Sequence, residues 1–127
     1  MGRVLYSAVV LTEHFHKALL DNFQHLIPEG WKVFAHHMTI NLGPLKEDMK
    51  ATEGVGVVLK LTHIGKSDKA IALKCDTDLS HNRIAHITLA VNVNEGGKPV
   101  DSNKIEVWEP LDEEIFVMGE ITEVKAQ

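Results

Sequence analysis

Two tripeptides in this 127-residue chain carry side chains suited to proton transfer, His37-Met38-Thr39 and His86-Ile87-Thr88. An imidazole has an unperturbed pKa of about 6.5, so it can accept or donate a proton near neutral pH. Two imidazoles in one cleft can act as general base and general acid, and a nearby threonine hydroxyl can donate to a phosphoryl oxygen. The residue types therefore predict a displacement at phosphorus that needs no metal ion.

Both tripeptides lie in stretches whose alternation of side chains is typical of a β-strand. Successive strand residues point to opposite faces, so His37, Thr39 and Asn41 share one face, as do His86 and Thr88. The opposite face of each stretch is mostly apolar: Phe34, His36, Met38, Ile40 and Leu42 in the first, and Ala85, Ile87, Leu89, Val91 and Val93 in the second. We expect each apolar row to face the core and each histidine-threonine pair to face a cleft.

The elements that must position these faces follow from hydrophobic alternation and turn residues. Thr12 is expected to cap a helix of about four turns that ends at Pro28. A short helix is expected over residues 46–52, and Asp112-Glu113-Glu114 is expected to mark a turn. Strands are predicted over residues 4–11, 31 to about 42, 57–63, 69–76, 84–93 and 115 to about 124, with an edge segment near 105–108. This order indicates one α+β domain over residues 1–127 with mixed or antiparallel sheets.

A single His-x-Thr tripeptide is a weak signal, but two in equivalent strand settings are seldom accidental. Standing here as Ala35-His36-His37-Met38-Thr39-Ile40 and Ala85-His86-Ile87-Thr88-Leu89, they resemble the motifs, flanked by hydrophobic residues, for which the 2H phosphoesterase superfamily is named. The resemblance covers most of the chain. It implies a bilobal α+β fold with pseudo-twofold symmetry, built from two antiparallel or mixed sheets and one main N-terminal helix, with the motifs facing each other across a cleft.

The resemblance also implies an activity and the residues that perform it. Members of the superfamily act on 2′,3′-cyclic phosphates, on 2′,5′ linkages or on related cyclic phosphodiesters, without a metal or other cofactor. By position, His37 and His86 would be the acid/base pair, and Thr39 and Thr88 would bind the phosphate. Because the two motifs are nearly equivalent, either histidine can be the acid. The expected partner is a nucleotide or an RNA end, as in RNA processing or repair.

Other residues near the tripeptides are weaker candidates. Asn41 on the cleft face and Arg83, whose planar guanidinium suits phosphate, are candidate substrate contacts, although each also fits an ordinary solvated surface. His36 is expected on the apolar face as a buried or edge histidine with a hydrogen-bond partner, and a bulge in the strand could put it in the place of His37. Phe34 and Phe116 are expected in the core.

Two other classes of function compete with a phosphoesterase. A metal-binding β protein of the cupin kind would use several of the eight histidines, but the chain has no His-x-His with a downstream glutamate at a suitable spacing. A non-catalytic module that binds nucleotides could keep the same cleft, because a sequence does not reveal turnover.

Composition limits the partners. The net charge of −5 argues against binding of extended nucleic acid, which requires a basic surface, and no apolar run is long enough for a membrane span. Cys75 is the only cysteine, which excludes an internal disulfide and favours a reducing compartment such as the cytoplasm. The oligomeric state is not fixed by these observations.

Overall fold

The computed structural model describes residues 2–126 and is mostly β, with 46% strand and 23% helix. The strands are β1 (Val4–Leu11), β2 (Lys32–Val33), β3 (His37–Leu42), β4 (Gly56–Lys66), β5 (Ala70–Asp76), β6 (His86–Val91) and β7 (Trp108–Lys125). One α-helix, α1 (Glu13–Phe23), follows β1 in the described chain, and short 3-10 helices span Gln24–Leu26, Glu47–Thr52, Val93–Glu95 and Pro99–Lys104. No helix within residues 2–126 is long and apolar enough to cross a membrane.

Six of the strands form a closed antiparallel barrel. The order around the barrel is β6, β3, β1, β7, β4 and β5, and β5 pairs back with β6. The extra strand β2 pairs with β6 beside β3, and α1 packs against β1 and β7. The predicted α+β fold, bilobal with two sheets and pseudo-twofold symmetry, is therefore wrong. Side-chain alternation tells which face of a strand is buried, but it does not tell which strands pair.

The predictions for β1, for the start of α1 and for β4 and β5 are confirmed. β1 has the predicted bounds, and the Thr12 hydroxyl accepts a hydrogen bond from the backbone N–H of Phe15 at 3.4 Å, which caps α1. β4 and β5 overlap the strands predicted over residues 57–63 and 69–76, and they pair as an antiparallel hairpin. Each of these features depends on residues close together in the chain.

The main core fills the barrel with aliphatic side chains from every strand of the closed sheet. Its fully buried members include Val9, Met38, Leu59, Leu73, Ile87, Leu89 and Val117, and α1 adds Leu19 and Phe23. A smaller cluster contains Ala70, Ala72, Val91 and Ile105. The register of β5 and β6 shifts between Ile71 and Ala72, so Val91 joins this second cluster and does not continue the row of Ile87 and Leu89.

Two predictions for the last strand are wrong. The acidic run Asp112-Glu113-Glu114 lies within β7 and not in a turn. Phe116 is 58% exposed, because Val117 faces the barrel interior and the adjacent side chain must then point outward.

Candidate functional site

The two tripeptides lie on neighbouring strands of the barrel wall. Met38 of β3 pairs with Ile87 of β6, and both side chains are buried in the barrel. Residues on either side of this pair must therefore point to the outer face, and the antiparallel register sets Thr39 beside His86 and Thr88 beside His37. Directly opposed residues have Cβ atoms about 5 Å apart, and diagonal neighbours lie about 7–8 Å apart. The two histidines thus occupy one diagonal of a small rectangle and the two threonines the other.

A pocket of about 470 Å³ opens over this rectangle. Its volume is within the range of about 300–1,000 Å³ that small-molecule sites usually have. The 3-10 helix Pro99–Lys104 forms one side of it. The lining residues are Tyr6, Phe34, His36, His37, Thr39, Leu42, Asn82, His86, Thr88, Pro99, Val100 and Asn103. The structure therefore brings the four residues of the two predicted His-Thr pairs into one pocket. Phe34, expected in the core, is half-buried at its rim.

His37 is held by two neighbouring rings. Tyr6 of β1 stacks on the His37 imidazole with 4.8 Å between ring centroids. The Nδ1 atom of His37 lies 2.9 Å from the Nδ1 atom of His36. Burial, followed by the charges of His36 and His86, lowers the pKa of His37 from 6.5 to about 4. His37 in the free protein is therefore neutral at neutral pH.

His86 is buried and has a fixed tautomer. Its Nδ1–H donates to the Ile84 carbonyl at 2.8 Å, because a carbonyl oxygen can only accept. The other ring nitrogen, Nε2, is left for a ligand. Burial lowers the pKa of His86, and the bond to the Ile84 carbonyl opposes that shift.

Thr88 has a partner that the sequence did not indicate. Its hydroxyl lies 2.8 Å from the hydroxyl of Ser102, a buried residue of the 3-10 helix Pro99–Lys104. When Ser102 donates, the Thr88 proton is free for a ligand oxygen. Thr39 lines the same pocket from β3 and is half-buried. Both hydroxyls can therefore donate hydrogen bonds to a bound anion.

A break in the predicted strand over residues 31–42 places His36 at the pocket. Ala35 has φ of 53°, a conformation that L-residues seldom adopt, and its carbonyl accepts a 2.8 Å hydrogen bond from Nδ1–H of His16 on α1. Val33 of β2 pairs with Ala90 of β6, and Met38 of β3 pairs with Ile87 of β6. Between these two pairs, the segment that joins β2 to β3 has two more residues than the facing segment of β6. His36 is consequently exposed at the pocket, and the prediction that it lies on an apolar face is wrong.

The two candidate substrate contacts lie elsewhere. A register shift between Ser7 and Ala8 of β1 leaves one extra residue on β3, so Asn41 turns inward and Leu42, which is 83% exposed, points to the pocket. The Asn41 amide donates to the carbonyls of Leu42 and Pro44, both at 2.8 Å, and thereby holds the turn after β3.

Arg83 is exposed and lines a separate depression together with Lys74 and Asp76. The pocket and this depression share Asn82. In the free protein the Arg83 side chain is therefore placed beside the pocket and not in its lining.

Reasoning from the sequence missed three residues of the site: Tyr6, His16 and Ser102. Tyr6 lies two strands from β6, and Ser102 approaches Thr88 only through the long connection after β6. His16 lies on α1 and is half-buried against the Ala35 carbonyl. Contacts of this kind depend on strand order and leave no periodic signal in a sequence.

Within residues 2–126, no group of three or more His, Cys, Asp or Glu side chains is placed to share a metal ion. Burial raises the pKa of the Cys75 thiol to about 12, so this side chain behaves as part of the apolar core.

No protein-family model matches this chain, and no curated protein matches it. The geometry of the pocket is therefore the basis for a proposal about function.

The low pKa of His37 predicts a pH-dependent stability. Its pKa is 6.5 in an ordinary environment and about 4 in the fold, so unfolding takes up a proton between these values. The contribution of His37 to the free energy of unfolding should therefore be fully present above about pH 6.5. It should be lost as the pH falls towards about 4. Urea denaturation at several pH values would measure this slope.

The matched variants are His37→Asn and His25→Asn, since His25 is exposed. His37→Asn should show a shallower loss of stability on acidification, and His25→Asn should keep the wild-type slope. An unchanged slope in His37→Asn would contradict the low pKa of His37.

Proposed function

We propose that the pocket binds a phosphodiester between His37 and His86 and opens it by general acid/base catalysis without a metal. The substrates we propose are 2′,3′-cyclic phosphates at nucleotide or RNA ends and 2′,5′ linkages, as the resemblance to 2H phosphoesterases implies. One observation carries the proposal: two histidines occupy one diagonal, and two threonines the other, at the floor of a single pocket.

The diagonal spacing suits an in-line displacement. In such a reaction the entering and leaving oxygens lie on opposite sides of phosphorus, so the base and the acid must also stand on opposite sides. Imidazoles whose Cβ atoms are about 7–8 Å apart can flank a phosphoryl group in this way. The hydroxyls of Thr39 and Thr88 then lie to either side, where they can donate to the non-bridging oxygens.

The proposed reaction moves two protons. The neutral histidine accepts a proton from water as the water oxygen forms a bond to phosphorus. The bond from phosphorus to one ribose oxygen breaks, and the protonated histidine donates its proton to that oxygen. The product is a ribose phosphate monoester with one free hydroxyl. When Ser102 donates to the Thr88 hydroxyl, the threonine proton is left for the phosphoryl group.

The substrate itself supplies the charge that this mechanism needs. In the free protein the pKa values of both His37 and His86 are lowered, so the protonated acid is scarce at neutral pH. An anionic phosphoryl group between the rings favours their protonated forms and raises both pKa values. Binding of the phosphodiester should therefore be coupled to uptake of a proton.

The rest of the pocket suits the organic part of a nucleotide. Phe34, Val100 and Leu42 provide apolar surface, and the amides of Asn82 and Asn103 provide polar contacts. The net charge of −5 favours a nucleotide or one end of an RNA over an extended nucleic acid. The single buried cysteine, Cys75, is compatible with a reducing compartment such as the cytoplasm.

A non-catalytic nucleotide-binding module is the second candidate, and the low pKa of His37 favours it. If bound nucleotide does not protonate either histidine, the pocket holds a ligand but lacks an acid. Such a module would bind nucleotides and leave them unchanged.

Phosphorus NMR tests the proposal. Chelator-treated protein is incubated with a 2′,3′-cyclic nucleotide and, separately, with a 2′,5′-linked dinucleotide. We expect the cyclic phosphate signal, the dinucleotide signal, or both to be replaced by a monoester signal. Binding of both compounds without any conversion would contradict catalysis and support the module. Activity that disappears with the chelator would contradict a metal-independent reaction.

A further inference from the structure

We infer that His36 is a positioning residue that selects the tautomer of His37 by accepting a hydrogen bond from its Nδ1–H. This inference rests on the proposed function, which decides the direction of the bond, but the placement of the proton can be measured in a protein without turnover.

The contact between the two rings permits only certain placements of protons. The Nδ1 atoms of His36 and His37 are 2.9 Å apart, and the rings meet edge to face at 81° with centroids 5.1 Å apart. A neutral imidazole carries one N–H and one bare nitrogen. One of the two Nδ1 atoms must therefore carry hydrogen and the other must offer its lone pair.

The direction of this hydrogen bond decides what His37 can do. If His37 donates through Nδ1–H, its Nε2 is bare and can accept a proton from water. If His36 donates, Nε2 of His37 already carries hydrogen and cannot act as a base. When His37 is the acid, its doubly protonated ring still donates through Nδ1–H to His36. His36 as acceptor therefore supports His37 in either role.

The backbone holds His36 in the position that this role requires. The His36 carbonyl accepts from the backbone N–H of Leu11 at 3.0 Å, and the preceding Ala35 is fixed on both sides. The Ala35 N–H donates to the Thr88 carbonyl at 2.9 Å, and the Ala35 carbonyl accepts from His16. This unusual conformation of Ala35 turns His36 out of the strand and onto the edge of the His37 ring.

The surroundings of His36 favour its neutral form, which can accept a hydrogen bond. Partial burial of the ring and the nearby His16 of α1 lower its pKa. Within residues 2–126, His86 on β6 and Tyr6 on β1 also approach the ring pair. None of these groups is a carboxylate that would favour a protonated His36.

Two substitutions separate positioning from simple structural support. His36→Ala removes the acceptor, and His36→Asp replaces it with an oxygen that only accepts. His14→Ala serves as the control, because His14 is exposed on α1. Long-range proton–nitrogen NMR near about pH 7 distinguishes bare from protonated ring nitrogens and so reports the tautomer of His37 directly.

In the wild type and in His36→Asp we expect His37 to carry hydrogen on Nδ1 and none on Nε2. In His36→Ala the His37 signals should move towards the Nε2–H form, and kcat should fall about 10-fold or more with little change in KM, because the wrong tautomer cannot serve as base. His36→Asp should recover most of that loss, and His14→Ala should match the wild type.

A wild-type His37 with hydrogen on Nε2, or a tautomer that is unchanged in His36→Ala, would overturn the inference. Absence of turnover in a wild type that shows the expected tautomer would count against the proposed function alone.

Discussion

Replacing either His37 or His86 with asparagine is expected to lower kcat/KM for a 2′,3′-cyclic nucleotide at least ~10²-fold, the low end for loss of a positioned acid or base. Asparagine keeps a polar side chain of similar width, and at position 86 it can still donate to the Ile84 carbonyl. The loss should therefore come from the missing proton transfer and not from a damaged fold. Initial rates over a range of substrate concentrations measure it.

The pair should behave as one unit. The double variant His37→Asn/His86→Asn is expected to be about as inactive as either single variant, because residues that act together lose their effects non-additively. His25→Asn, at an exposed position, should keep wild-type kinetics. If one of the two histidines could be replaced at a cost of less than about 3-fold, it would not be a member of the acid/base pair.

Replacing Ile87 with alanine is expected to lower the free energy of unfolding by about 2–5 kcal/mol, the usual cost of truncating a fully buried isoleucine. Ile87 is buried in the barrel and pairs with Met38 at the junction of β3 and β6. The matched control is Val58→Ala on β4, where the side chain is 56% exposed and little should change. Urea denaturation followed by far-ultraviolet circular dichroism measures both.

A double-mutant cycle tests closure of the barrel at the same place. Because Met38 and Ile87 are direct cross-strand neighbours, the double alanine variant should differ from the sum of the single variants by about 0.5–3 kcal/mol. Exact additivity would mean that the two side chains are not in contact. That result would contradict the junction that brings the two tripeptides together.

Local features of this fold could be predicted because their causes lie close together in the chain. The bounds of β1 follow from its own alternation, and the start of α1 follows from the cap at Thr12. The same holds for the inward direction of Met38 and Ile87, which carries the His-Thr pairs to the outer face. Residues one position apart in a strand determine that direction without reference to the rest of the fold.

Irregular residues account for the errors within the site. The break at Ala35 adds two residues between β2 and β3, which brings His36 to the pocket when strict alternation predicts the core. The extra residue opposite the junction of Ser7 and Ala8 reverses the faces after Ile40, which buries Asn41. A strict two-residue period cannot anticipate such bulges, because tertiary hydrogen bonds such as the one from His16 to Ala35 stabilise them.

The order of the strands could not be predicted from the sequence, for a different reason. Two similar motifs suggested two similar lobes, but β5 pairs with β6 and β4 with β7, which joins both halves into one barrel. Pairing of strands distant in sequence depends on the whole set of strands and their edges, and no single segment encodes it. The supporting contacts of Tyr6 and Ser102 follow from this pairing and were missed with it.

Hydrolysis in oxygen-18-labelled water tests whether His37 and His86 drive attack of water on a phosphoryl group held between them. Chelator-treated protein opens a 2′,3′-cyclic nucleotide in the labelled solvent, and phosphorus NMR reads the isotope shift of the product. We expect one labelled oxygen on the phosphorus of the monoester, and formation of product at least ~10²-fold slower with the double variant His37→Asn/His86→Asn. An unlabelled phosphoryl group, no product from the wild type, or equal product from the double variant would contradict this expectation.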